Sequence, residues 1–152
     1  MSRHLAALAL VLGLLAAAAT AMATTPPPVK AHSAHIERLV AADQADRAPG
    51  SMRIDWAAVR PRDSERRAEV LRLLRAGEVR TARDHHSAAL VLQHGDTSED
   101  YRLAHALATV AATLDPANDR ARWLQAATWD RLMLALGRKQ WYGTQFRQGK
   151  DG

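Results

Sequence analysis

The sequence predicts an all-α domain of about five helices, a small bundle built on antiparallel helical hairpins. Three observations lead there. Apolar residues recur at helical spacing, as in Leu103, Leu107, Val110 and Leu114. These stretches are bracketed by helix punctuation, with Thr81, Thr97 and Asp115-Pro116 as starts and Gly77, Gly95 and Gly137 as stops. No segment alternates apolar and polar residues with the period of two that a half-buried strand shows.

Residues 1–23 read as a secretory signal peptide rather than as part of the fold. Arg3 and His4 open onto an apolar run from Leu5 to Ala19, and Ala21-Met22-Ala23 forms a small-residue cleavage pattern. The run is short for a membrane span, and polar Thr20, Thr24 and Thr25 follow it. Residues 24–31, with Pro26, Pro27 and Pro28, form an extended linker. Residues 32–152 are assigned to one helical domain. The expectation is a periplasmic or secreted protein with no transmembrane span after cleavage.

The first helix is expected over His32 to Arg47, where Ile36, Leu39, Val40, Asp43 and Arg47 share a face and the apolar stripe runs into an acid. Asp43 and Arg47 have the order and spacing of a helical ion pair. The cluster Ala48-Pro49-Gly50-Ser51 ends this helix. Trp56 is expected in an irregular piece tucked against the core. Asp63 caps a second helix from Ser64 to Ala76, with Val70, Leu73 and Leu74 inward and the arginines outward. Thr81 to Asp84 has the spacing of a capping box for a third helix reaching His94. Thr97 caps a fourth, Ser98 to Leu114, whose Ala104, Ala108 and Ala111 allow close packing. The short turn at Gly95-Asp96 makes these two a hairpin. Asp115-Pro116 opens the fifth, which reaches Leu136.

There is no cysteine, which excludes disulfides, thiolate metal sites and cysteine nucleophiles. Eight arginines between Arg60 and Arg83 face only Asp63, Glu65, Glu69 and Glu78. Without interleaved aromatics this segment reads as a solvated helix face, and no nucleic-acid partner is assigned. His86 and His105 are brought near each other by the hairpin, with His85 or Asp84 as a further donor, but no HExxH accompanies them and no metal is assigned. Without a Walker loop, GxGxxG or GxSxG motif, no cofactor or serine nucleophile is assigned.

The most site-like stretch is Asp130 to Phe146. Helical spacing puts Trp123, Ala127, Asp130 and Leu134 on one stripe, so a carboxylate falls where an apolar residue belongs. A buried carboxylate needs partners. Arg131, Arg47 and the Gln145 amide are the candidates, with hydroxyls from Tyr142 and Thr144 and close backbone approach at Gly143.

Gln93-His94-Gly95-Asp96, then Asp130-Arg131, then Gln140-Trp141-Tyr142-Gly143-Thr144-Gln145 resemble the signature of an uncharacterised bacterial domain family written QHAD, DR, QxYGTQ. Asp43-Gln44 with Arg47 resembles its opening DQxxR. Gly95 stands where that pattern has alanine, and residues 56–83 do not follow it. The resemblance implies a shared polar centre of Asp43, Gln44, Arg47, His94, Asp130, Arg131, Gln140, Tyr142, Thr144 and Gln145.

Three functions fit such a centre. One is an exported binding or accessory module holding a small polar ligand or a protein segment. Another is a hydrolase-like enzyme with His94 as general base and Asp130 as its orienting carboxylate, which requires the two to meet. The third is a purely structural centre that pins the C-terminal segment.

Overall fold

The computed structural model describes residues 31–48 and 54–146. The signal-peptide pattern, the linker prolines and the turn residues Pro49, Gly50 and Ser51 lie outside them. Five helices are present, α1 (Ala34–Ala45), α2 (Trp56–Arg75), α3 (Ala82–Leu92), α4 (Ser98–Leu114) and α5 (Asp119–Ala135), with no strand among the described residues. Packing is sequential around α3 and α4: α3 lies on α4, α4 on α5, and α1 and α2 both on α3.

The core follows from the apolar stripes. Ile36 from α1, Val70 and Leu73 from α2, Val91 and Leu92 from α3, Leu107 from α4 and Leu124 from α5 meet in one cluster. Burying each of the larger side chains contributes about 1.5–3 kcal/mol. Ala104, Ala108 and Ala111 are fully buried along α4, so the neighbouring helices approach a nearly smooth surface.

Helix starts are set by side chains that accept the first free backbone N–H groups. Thr81 with Asp84 and Thr97 with Asp100 form complete capping boxes. Asp84 is fully buried because it also accepts from Ser33 N at 2.8 Å, which ties the start of α1 to that of α3.

Several expectations change. α2 begins at Trp56, capped by Asp55, and Trp56 is 50% exposed rather than tucked inward. Asp63, expected as the cap, is instead buried in the middle of α2, which also accommodates Pro61. The arginines of α2 do not all point outward: Arg66 is buried. The cap of α5 is Asn118, whose side chain accepts from Ala121 N, while Asp115 ends α4. The inward face of α5 is also rotated from the expected stripe. Ala127 and Asp130 are buried, but Trp123 and Leu134 are exposed, and Ala121, Leu124 and Leu132 turn inward.

No helix among the described residues is long and apolar enough to cross a membrane.

Candidate functional site

The residues singled out from the sequence form two hydrogen-bonded networks that meet at one cleft. The first stitches α1 to α2. Asp43, fully buried on α1, accepts from Gln44 Nε2 at 2.8 Å and from Arg47 Nη1 at 3.1 Å. Arg47 donates onward to Asp63 Oδ2 at 2.5 Å. Asp63 also accepts from Arg66 at 2.6 Å, and Arg66 reaches Asp46 at 2.8 Å. Arg62 closes the series on Asp46 through two N–H groups. Acids and arginines alternate, so each buried charge has an opposite neighbour, which is the condition for burying them at all.

The electrostatics follow from these partners. The Arg62 guanidinium, followed by Arg66, holds the Asp46 carboxyl down at about 2 against the effect of burial. Burial alone would raise the Asp63 carboxyl, and Arg47 and Arg66 reverse this so that it lies below the ordinary carboxylate value.

His94 joins this network. Its Nδ1 lies 3.0 Å from Asp43 Oδ1. A carboxylate only accepts, so Nδ1 carries the proton and Nε2 is left for another partner. No hydrogen bond among the described residues uses Nε2, and it is not among the buried polar atoms that lack a partner, so it faces accessible space.

The second network secures the segment after α5. Asp130 is fully buried and accepts from the backbone N–H groups of Trp141, Tyr142 and Thr144 at 2.6, 3.0 and 2.9 Å, and from the Thr144 hydroxyl at 2.9 Å. Gly143, at φ +67°, supplies the left-handed turn between two of these donors. Burial pushes the Asp130 carboxyl up, but the N–H groups of Thr144, Tyr142 and Trp141 outweigh it and hold the group ionised.

Gln145 completes the clamp. Its amide donates to Ala127 O at 3.1 Å, its oxygen accepts from Arg131 at 3.2 and 3.0 Å, and its backbone N–H donates to Gln140 at 2.9 Å.

Several roles therefore differ from those the sequence suggests. Asp130 fixes backbone N–H groups, not Arg131, Arg47 or Gln145. Tyr142 contributes its N–H to the clamp, while its ring is exposed. The carboxylate bonded to His94 is Asp43, and Asp130 is fully occupied by the tail. His105 of the α3–α4 hairpin is engaged elsewhere. His105 Nδ1 lies 3.1 Å from Gln125 O on α5, and no group of three His, Cys, Asp or Glu among the described residues is arranged to hold a metal.

The two networks meet across a cleft of about 340 Å³ lined by Arg47, Trp56, Arg60, Asp63, His94, Gly95, Asp96 and Arg131. Arg131 is distinctive. Its protein acceptors are the neutral Gln93 O, at 2.7 Å, and Gln145 Oε1, and it has no carboxylate within ion-pair distance among the described residues. Burial pushes its guanidinium below the ordinary value; the like charge of Arg47 adds to this and the Tyr101 phenol opposes it. Five N–H groups shared between two acceptors leave Arg131 with donors to spare. Arg60, exposed on the same cleft, also lacks an ion pair among the described residues.

Gly95 is required here for room. A Cβ would lie 2.3 Å from Asp100 Cβ, inside the capping box of α4, so the alanine of the resembled pattern does not fit this turn.

Sequence reasoning misses Asp46, Arg62, Asp63 and Arg66, and also Arg60 and Trp56 on the cleft. The signals are the three-residue spacing of Asp63 and Arg66 and an apolar stripe of α1 that ends in an acid. No family model, no curated protein and no solved structure matches the chain.

Proposed function

We propose that the protein is an exported helical binding or accessory module that holds a small anionic ligand, a carboxylate or phosphate, in the cleft between the α1–α2 network and Arg131. The observation that carries this reading is Arg131, partly buried, with spare donors and no carboxylate within ion-pair distance among the described residues. An anion placed there gains charge-assisted bonds from Arg131 and Arg60, and from His94 Nε2 when that nitrogen is protonated. Trp56 offers an apolar wall for the rest of such a ligand. Export is supported by the residue 1–23 pattern, and N-terminal sequencing of the secreted form tests it.

The binding test is a thermal-shift titration of the protein with inorganic phosphate and with succinate. A saturating rise in melting temperature is expected with at least one of them, about 2.7 kcal/mol of added stability at a hundredfold excess over Kd. Arg60→Gln should weaken that rise while leaving the ligand-free melting temperature unchanged. A flat titration with both anions, or a rise untouched by Arg60→Gln, refutes the reading.

One observation favours a second reading, a hydrolase-like enzyme. The Asp43–His94 contact engages Nδ1 of a histidine that lines the cleft, which leaves Nε2 for the role of general base. Hydrolysis of a nitrophenyl ester or phosphate that disappears in His94→Gln supports it, and no turnover in the unaltered protein removes it.

A further inference from the structure

A separate hollow of about 330 Å³ lies along α5 and shares no residue with the anion cleft. Trp129, Trp141 and Tyr142 line it together with Gln125, Arg122 and His105. Trp141 is 70% exposed and Tyr142 61% exposed, an unusual display of large rings on a chain with few aromatics.

These rings are held in place. The backbone N–H groups of Trp141 and Tyr142 both donate to the buried Asp130, so the main chain under them is fixed. Trp141 meets Trp129 edge to face at 5.1 Å, and Trp129 packs on His105 at 5.1 Å. A ligand stacking there would not have to order the segment first.

The polar groups define the ligand further. Arg122 already donates to Asp119 and to Pro116 O, so its charge is largely balanced. No carboxylate among the described residues lines the hollow, which leaves a cationic guest without a counter-charge there. The Gln125 side chain donates from Nε2 to Thr109 at 3.2 Å, and its Oε1 takes part in no hydrogen bond among the described residues.

The geometry points to a carbohydrate site, in which a neutral pyranose unit of a glycan stacks its C–H face on Trp141 and Tyr142 and directs hydroxyl groups toward the side-chain oxygen of Gln125 and toward His105. Pyranoses combine one apolar face with a rim of donors and acceptors, matching exposed rings bordered by neutral polar groups. The hollow is at the lower end of the size range of small-molecule sites.

The test is a titration of the full chain with triacetylchitotriose and with cellotriose, followed by tryptophan fluorescence. A saturating change is expected with at least one sugar. Trp141→Ala should weaken it at least about tenfold, while Trp141→Phe, which keeps a stacking face, retains most of the affinity. Arg60→Gln in the anion cleft should leave sugar binding unchanged, which separates this site from the cleft. Three results overturn the proposal: no saturable change with either sugar, equal affinity in Trp141→Ala, or binding of choline or adenosine monophosphate in place of the sugars.

Discussion

His94 Nδ1 donates to Asp43 Oδ1 across 3.0 Å, joining the end of α3 to a fully buried position of α1 located 51 residues earlier. The same oxygen accepts from Arg47, so one carboxylate oxygen serves a helical ion pair and a long-range contact.

Removing that carboxylate strands the cations around it. Asp43→Ala should cost about 3–5 kcal/mol, the usual effect of breaking a buried charged pair. Asp43→Asn, which keeps the shape but not the charge, should cost less. Urea denaturation checks both, and a midpoint unchanged in Asp43→Ala would show that the network does not stabilise the fold.

Asp130→Ala should free the segment after α5. Three N–H groups and a hydroxyl lose their acceptor together, and the expected loss is about 3 kcal/mol, since bonds to a charged group are worth about 1.5–3 kcal/mol each and do not add fully. Arg138 and Lys139 are exposed at the start of the segment. Trypsin should therefore cut there much faster in the variant, and an unchanged cleavage rate would mean that Asp130 does not hold the tail.

Stability should fall in two stages as pH drops. Burial, against the pull of Asp84, lowers the His85 value, and burial with the nearby charge of Arg120 lowers that of His86. Both rings therefore take up a proton less readily in the fold than in the unfolded chain, which does so near 6.5. Their contribution is complete above about 6.5 and is lost as pH falls below it. Asp46, Asp63, Asp84 and Asp130 are all depressed, so theirs is complete above about 3.9 and is lost as pH falls below that. Melting temperatures from pH 8 to pH 2 should show a plateau, a first decline below 6.5 and a second below 4. A single transition confined to pH below 4 would exclude the histidine contribution.

Local chemistry was legible in the sequence and long-range pairing was not. Thr81 with Asp84 and Thr97 with Asp100 announce α3 and α4 because capping is settled within four residues. The ion pair of Asp43 and Arg47 is visible for the same reason. The start of α2 is concealed because Asp63 is a residue type that caps helices, and only the packed fold shows that it is claimed by Arg47 and Arg66. Asp130 is marked as a buried acid by its helical position. Its acceptance of backbone N–H groups, rather than an arginine, depends on how the chain turns at Gly143.

The alternating acids and arginines between α1 and α2 also set how the molecule responds to heat. Hydration of charged groups becomes less favourable as temperature rises, so separating those ions gains less from water, whereas the attraction between alkyl surfaces levels off. On warming, the ionic joint gains relative strength over the alanine seam of α4. The two sides of the bundle thus differ in their thermal weak points.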